Sequence, residues 1–165
     1  MNELLSHLIE ALREELKQYG EMLALLDQQQ QMVMQRQVAE LPENVTCVNA
    51  QAGVIAAARQ EREQRQRHLA HHLALPETTG FAVLIPLLPP DYRPLLEALV
   101  RENNELLARV QQRVRQNHLL LSHCVELMQQ LINSIVPNVS PTTYDGTGHV
   151  PLAAVPPHPI YQAVG

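Results

Sequence analysis

The sequence predicts an all-α protein: an elongated antiparallel coiled-coil bundle of three long helices with a disordered C-terminal tail. Three observations predict it. Apolar residues make up 45% of the 165-residue chain but aromatics only 3%, with no Trp and a single Phe, Phe81. A core of Leu, Val, Ile, Ala and Met suits long helices packed side by side. Sandwiches and barrels lean on β-branched and aromatic residues instead. Next, three long segments place apolar residues at alternating steps of three and four, the period of a helix packed along its length. Lastly, proline and glycine gather in one linker and in the tail, where they break helices.

The first helix is expected over about 2–37. Its stripe is Leu5, Leu8, Leu12, Leu16, Tyr19, Leu23, Leu26, polar Gln30 and Val33. Asn2 is the expected N-cap, and Pro42 places a turn near 38–43. The second helix, about 43–74, has a weaker stripe: Val48, Ala52, Ile55, Arg59, Arg62, Leu69 and Leu73. Its middle is rich in Gln and charge and should be the least tightly packed part. An apolar linker, 75–91, follows; Phe81 to Leu88 could cap one end of the bundle. The third helix, about 92–136, starts with Asp91 as cap or Pro94 in its first turn. Its stripe is Leu95, Leu99, Asn103, Leu106, Val110, Arg113, Asn117, Leu120, Cys124, Leu127, Leu131 and Ile135. At 1.5 Å per residue it is about 65 Å long. Asn103 and Asn117 on that stripe are read as register-fixing buried polar residues, with a binding role second. The helical domain is thus 1–136 and the Pro- and Gly-marked tail 137–165.

The formal net charge is −5. Nucleic acid is a poor partner for such a chain, because phosphate binding needs a Lys/Arg surplus on one face. The basic stretch Arg59–Arg67 is interrupted by Glu61 and Glu63 and reads as a solvated helix face. No apolar run is long enough to span a membrane and no leader is visible, so a cytoplasmic protein is expected. Cys47 and Cys124 form no motif and are expected to be buried small apolar residues.

His68 and His72, four apart on a helix, are the most tempting metal ligands. A bundle metal site brings carboxylates inward beside its histidines. None stands at such a position here, and Glu126 follows His123 in the wrong order. No metal or cofactor is expected. Neither a nucleophile elbow, a phosphate loop nor HExxH occurs, so the chain is not expected to be an enzyme.

What remains is partner surface. Leu119, Leu120 and Leu121 point in three successive directions. Val125, Leu127, Met128, Leu131, Ile132, Ile135 and Val136 then make the apolar face wider than one seam requires. Either two neighbours bury it or it forms an open groove. The first two helices are shorter than the third, so about 10 residues, or about 15 Å, should overhang. The linker can cover the N-terminal end, which leaves the C-terminal third as the expected binding face: Leu120, Leu121, Leu127, Met128, Leu131, Ile132 and Ile135. Left bare, it would favour self-association into a homo-oligomer.

The stretch "NHLLLSHCVELMQQLINSIVP" (Asn117 to Pro137), followed by "TYDGTG" (Thr143 to Gly148), resembles the end of the FlgN family of flagellar export chaperones. The opening "LREELKQYGEMLALLDQQ" resembles that family's first helix. The resemblance implies a small, acidic, cytosolic, all-helical chaperone of flagellar type III secretion. It implies binding of hook-associated (hook–filament junction) proteins by their C-terminal helices, and delivery to the export apparatus. Within the tail, Tyr144, Asp145 and Gly146 are expected to form a docking element, with Tyr144 as its anchor. The rival reading is a structural coiled-coil adaptor with permanent partners.

Overall fold

The computed structural model describes residues 1–135, with the side chain of Ile135 outside that description. Its helices are α1 (Asn2–Met34), α2 (Leu41–His72), the short α3 (Phe81–Leu84) and α4 (Arg93–Ile135). Single 3₁₀ turns, Val38–Glu40 and Ile85–Leu87, precede α2 and follow α3. Among the described residues there is no strand. Met1–Leu127 form one compact unit, and the packing described here is that unit's.

The helix ends differ from the sequence reading in instructive ways. Met1, not Asn2, is the N-cap of α1, and it offers no side-chain bond. Pro42 lies in the first turn of α2 instead of in the preceding turn; Pro94 likewise lies in the first turn of α4, where a missing N–H costs nothing. α1 stops at Met34 because Arg36 turns left-handed, with φ 59°. The Gln37 N–H then donates to Met32 O at 2.9 Å and the Arg36 N–H to Val33 O at 3.2 Å. This is a Schellman motif, which satisfies carbonyls the helix leaves open. α2 ends the same way. Ala74 has φ 57°, Leu75 N–H donates to Ala70 O and Ala74 N–H to His71 O. Glycine is the usual residue at both positions; its absence hides these stops from the sequence.

α1 is the central helix. On one side it runs parallel to α4, and on the other antiparallel to α2. The parallel pairing is fixed by Asn103, whose Nδ2–H donates to Leu12 O at 3.0 Å, and Asn117, which donates to Leu26 O at 2.7 Å. Both bonds span 91 residues, a multiple of seven, so they occupy equivalent places in the heptad. The same offset sets Leu5 against Leu96 and Tyr19 against Val110, each pair within one core cluster. On the other side, Asn44 donates to Leu25 O and Gln51 to Gln18 O. Partner numbers rise on one helix as they fall on the other, which makes that pair antiparallel.

The core has two clusters. One gathers Leu5, Leu8 and Leu12 of α1 with Leu69 of α2 and Leu96 and Leu99 of α4; Ile85 and Leu88 of the linker close it. The apolar linker thus covers this end. Each such side chain, fully buried, contributes about 1.5–3 kcal/mol. The second cluster holds Tyr19, Met22, Leu26 and Val110. Past it the buried residues are mainly polar: Gln29, Asn44 and Asn117, with Met32.

Several stripe positions need correction. Leu96 is buried, whereas the expected Leu95 is 39% exposed. On α2 the covered line runs Asn44, Val48, Gln51, Ile55, Ala58, Arg62, Gln66, Leu69, so Ala52 and Arg59 lie outside it. Gln51 takes the place expected of Ala52 because α1 offers it Gln18, and Arg62, on the expected line, finds Glu15. Cys47 is exposed and Cys124 is half-buried; at its surface position Cys47 packs into no core.

Candidate functional site

The α1–α4 register decides what α4 has left to offer. With Asn117 opposite Leu26, the last residue of α1, Met34, stands opposite Val125. The line Leu96, Asn103, Val110, Asn117, Cys124 is covered by α1 in turn, and the next heptad position is Leu131. Exposure follows that geometry. Asn117 is buried, and Leu120, Leu121 and Cys124 are half-buried. Leu127, Met128, Leu131 and Ile132 are 47%, 50%, 60% and 59% exposed. Val125 and Leu119 are exposed as well. Of the seven residues expected to bind a partner, four are therefore open, Leu120 and Leu121 are partly covered, and Ile135 has its side chain outside the described residues. Tyr144, Asp145 and Gly146 also lie outside them.

The open stretch carries little charge. His123 Nδ1 stands 3.6 Å from Glu126 Oε2, and the Ser134 hydroxyl turns back to donate to Leu131 O. Apolar side chains on a helix, unpaired and at heptad spacing, can bury a second amphipathic helix. They supply no general acid, base or nucleophile.

The polar features of the unit are structural. Glu15 is buried on α1 and takes Arg62 Nε at 3.0 Å from α2. The Tyr19 hydroxyl donates to Glu15 Oε1 at 2.9 Å. Burial, and then the Glu15 charge and hydrogen bond, push the Tyr19 phenol up to about 12. Sequence reasoning placed Arg62 on the α2 stripe but passed over Glu15; its position between Leu12 and Tyr19 was the available signal. Arg113 of α4 bonds Gln30 Oε1 and stands 2.9 Å from Asp27 Oδ1, an ion pair too poorly aligned to be a hydrogen bond. Asn44, Asn103 and Asn117 each spend Nδ2 on an α1 carbonyl, while their Oδ1 atoms are buried without a partner. The register role read from the sequence fits these bonds.

His68 lies in a surface hollow with His71 and Glu77, and His72 and His118 are exposed. Among the described residues no three His, Cys, Asp or Glu side chains converge as metal ligands. No described helix is long and apolar enough to cross a membrane.

Comparison with known proteins adds one finding. The model of the FlgN family, described as FlgN protein, matches residues 1–151. No curated protein and no solved structure matches the chain.

Proposed function

The chain belongs to the FlgN family of flagellar export chaperones, and from that premise we propose that it holds hook–filament junction proteins in the cytosol before export. The proposed client site is the C-terminal face of α4: Leu120, Leu121, Leu127, Met128, Leu131, Ile132 and Ile135. One observation carries the reading. The heptad line that α1 covers as far as Cys124 continues in apolar residues whose side chains stand open. An amphipathic C-terminal helix of a hook-associated protein, laid on that line, would bury it at i, i+3, i+4 and i+7 positions. Met128 would accommodate more than one client sequence. Held this way, the client stays soluble and unassembled until it reaches the export apparatus. Without a client, the same face would favour self-association.

Calorimetry with a purified hook-associated protein tests the site. Leu131→Asp with Ile135→Asp should leave helicity intact and abolish binding. Unchanged affinity in a folded variant would put the site elsewhere, and unfolding would assign both residues to the core.

Tyr144, Asp145 and Gly146 are proposed to dock on the export machinery. The family match extends through them. Tyr144→Ala should lower client export from cells while client affinity in solution holds; normal export with this variant would remove the docking role.

A further inference from the structure

A second line of apolar residues on α4 runs along the edge of the α1 seam, where Val100 and Leu107 pack against the two core clusters with part of their surface left open. Val100, Leu107, Val114 and Leu121 recur every seven residues beside it, spanning about 32 Å of helix. Three are half-buried and Val114 is exposed. At Val100 and Leu107 this line forms one wall of a cleft of about 360 Å³ between α2 and α4. Leu12, Glu15 and Tyr19 of α1 make the floor, and Arg59 and Arg62 of α2 the opposite wall. α2 leaves the cleft open because it presents charged residues there instead of large apolar ones.

The charge around the cleft is uneven. The cleft's lining holds two arginines and one carboxylate, Glu15, which Arg62 and Tyr19 engage; the second carboxylate near the arginines, Glu63, lies outside the lining. Arg59 is 52% exposed and, among the described residues, is held only by Glu63, at 3.9 Å; Glu63 also leans toward Arg62 at 3.6 Å. The outer row of α4 beside Leu107 to Leu121, Asn104, Gln111 and His118, contains no carboxylate, and the row's preceding member is Glu97. Asn103, also in the lining, keeps its Oδ1 buried and unpartnered.

We infer that this cleft, with the line that leads from it toward Leu121, is a second client contact that takes an acidic amphipathic helix of the hook-associated protein. The proposal rests on the chaperone reading above and adds the chemistry of the partner. The seven-residue spacing suits the knobs of a helix. The apolar face of that helix would cover Val100 and Leu107, and its carboxylates would meet Arg59. The line ends at Leu121, a residue of the face proposed above.

The test is titration of the purified full chain with a purified hook-associated protein. Arg59→Glu with Asn104→Glu, both at exposed positions, should weaken binding about tenfold, and less at about 0.5 M salt. Helical circular dichroism should not change. Arg67→Glu, the same reversal as Arg59→Glu but on α2 outside the cleft, should alter affinity less than about twofold. Should the double variant fold poorly, Arg59→Ala carries the same test with a loss of about threefold. Wild-type affinity in the cleft variants, or an equal loss with Arg67→Glu, overturns the cleft. If the unaltered chain fails to bind hook-associated proteins at all, the chaperone reading fails, and the cleft's assignment with it.

Discussion

α4 gives α1 more buried apolar side chains, Leu96, Leu99 and Val110, than α2 does with Leu69 and Ala70, and both helices also reach α1 through polar pairs. Along the α4 seam, Leu5, Leu8 and Leu12 pack with Leu96 and Leu99, and Tyr19 faces Val110 in a cluster that also holds Met22 and Leu26. Asn103 and Asn117 interrupt it, as does Arg113, which reaches Gln30 and Asp27. Along the α2 side, Asn44, Gln51 and Arg62 reach Leu25, Gln18 and Glu15. Of the residues of α2, only Asn44, Leu69 and Ala70 are buried. Apolar burial supplies most of the stability, whereas a hydrogen bond that replaces one to water nets about 1 kcal/mol. The α1–α4 pair is therefore the stable frame. α2 is aligned on it by specific polar pairs and anchored at its C-terminal end. Its looseness in the middle is what leaves the cleft beside Arg59.

Breaking the frame should cost most. Leu96→Ala removes a fully buried side chain and should destabilise by about 3 kcal/mol in urea melts. A loss under about 1 kcal/mol would mean that the seam collapses around the gap and is less tightly packed than described.

The polar side is probed by Arg62→Leu, which strands the buried Glu15 carboxylate and should cost about 2 kcal/mol, somewhat less than a fully buried pair because Arg62 is partly exposed. Replacing the whole set, Glu15→Leu with Arg62→Leu and Tyr19→Phe, should recover most of that loss. If the triple variant is as unstable as the single one, the pair contributes net stability of its own, and the contrast between the two sides weakens. The smallest effect has the opposite sign. Ala74→Gly relieves a left-handed residue at the end of α2 and should raise stability by about 1 kcal/mol; no gain would mean that the turn carries little strain.

The same contrast explains what could be read from sequence. The α1 stripe and the long α4 stripe were legible because apolar side chains repeat along them, although the true line passes through Leu96 and not Leu95. α2 was not legible in detail, since its covered line includes Gln51, Ala58 and Arg62, residue types that also mark solvent-facing positions. Its direction relative to α1 followed from the short turn. The parallel run of α1 and α4 did not, because two heptad patterns can pair in either direction. Arg36 and Ala74 concealed two helix stops. The open face of α4 was visible as excess hydrophobicity, but which part α1 covers depended on the 91-residue register that Asn103 and Asn117 set.

The claim that the end of α4 is the client face is tested most directly by amide hydrogen exchange, with and without a purified hook-associated protein. The account predicts slower exchange over Leu120 to Ile135 in the complex, with the α1–α4 frame little changed. A complex that forms while those amides exchange at the free rate would contradict it.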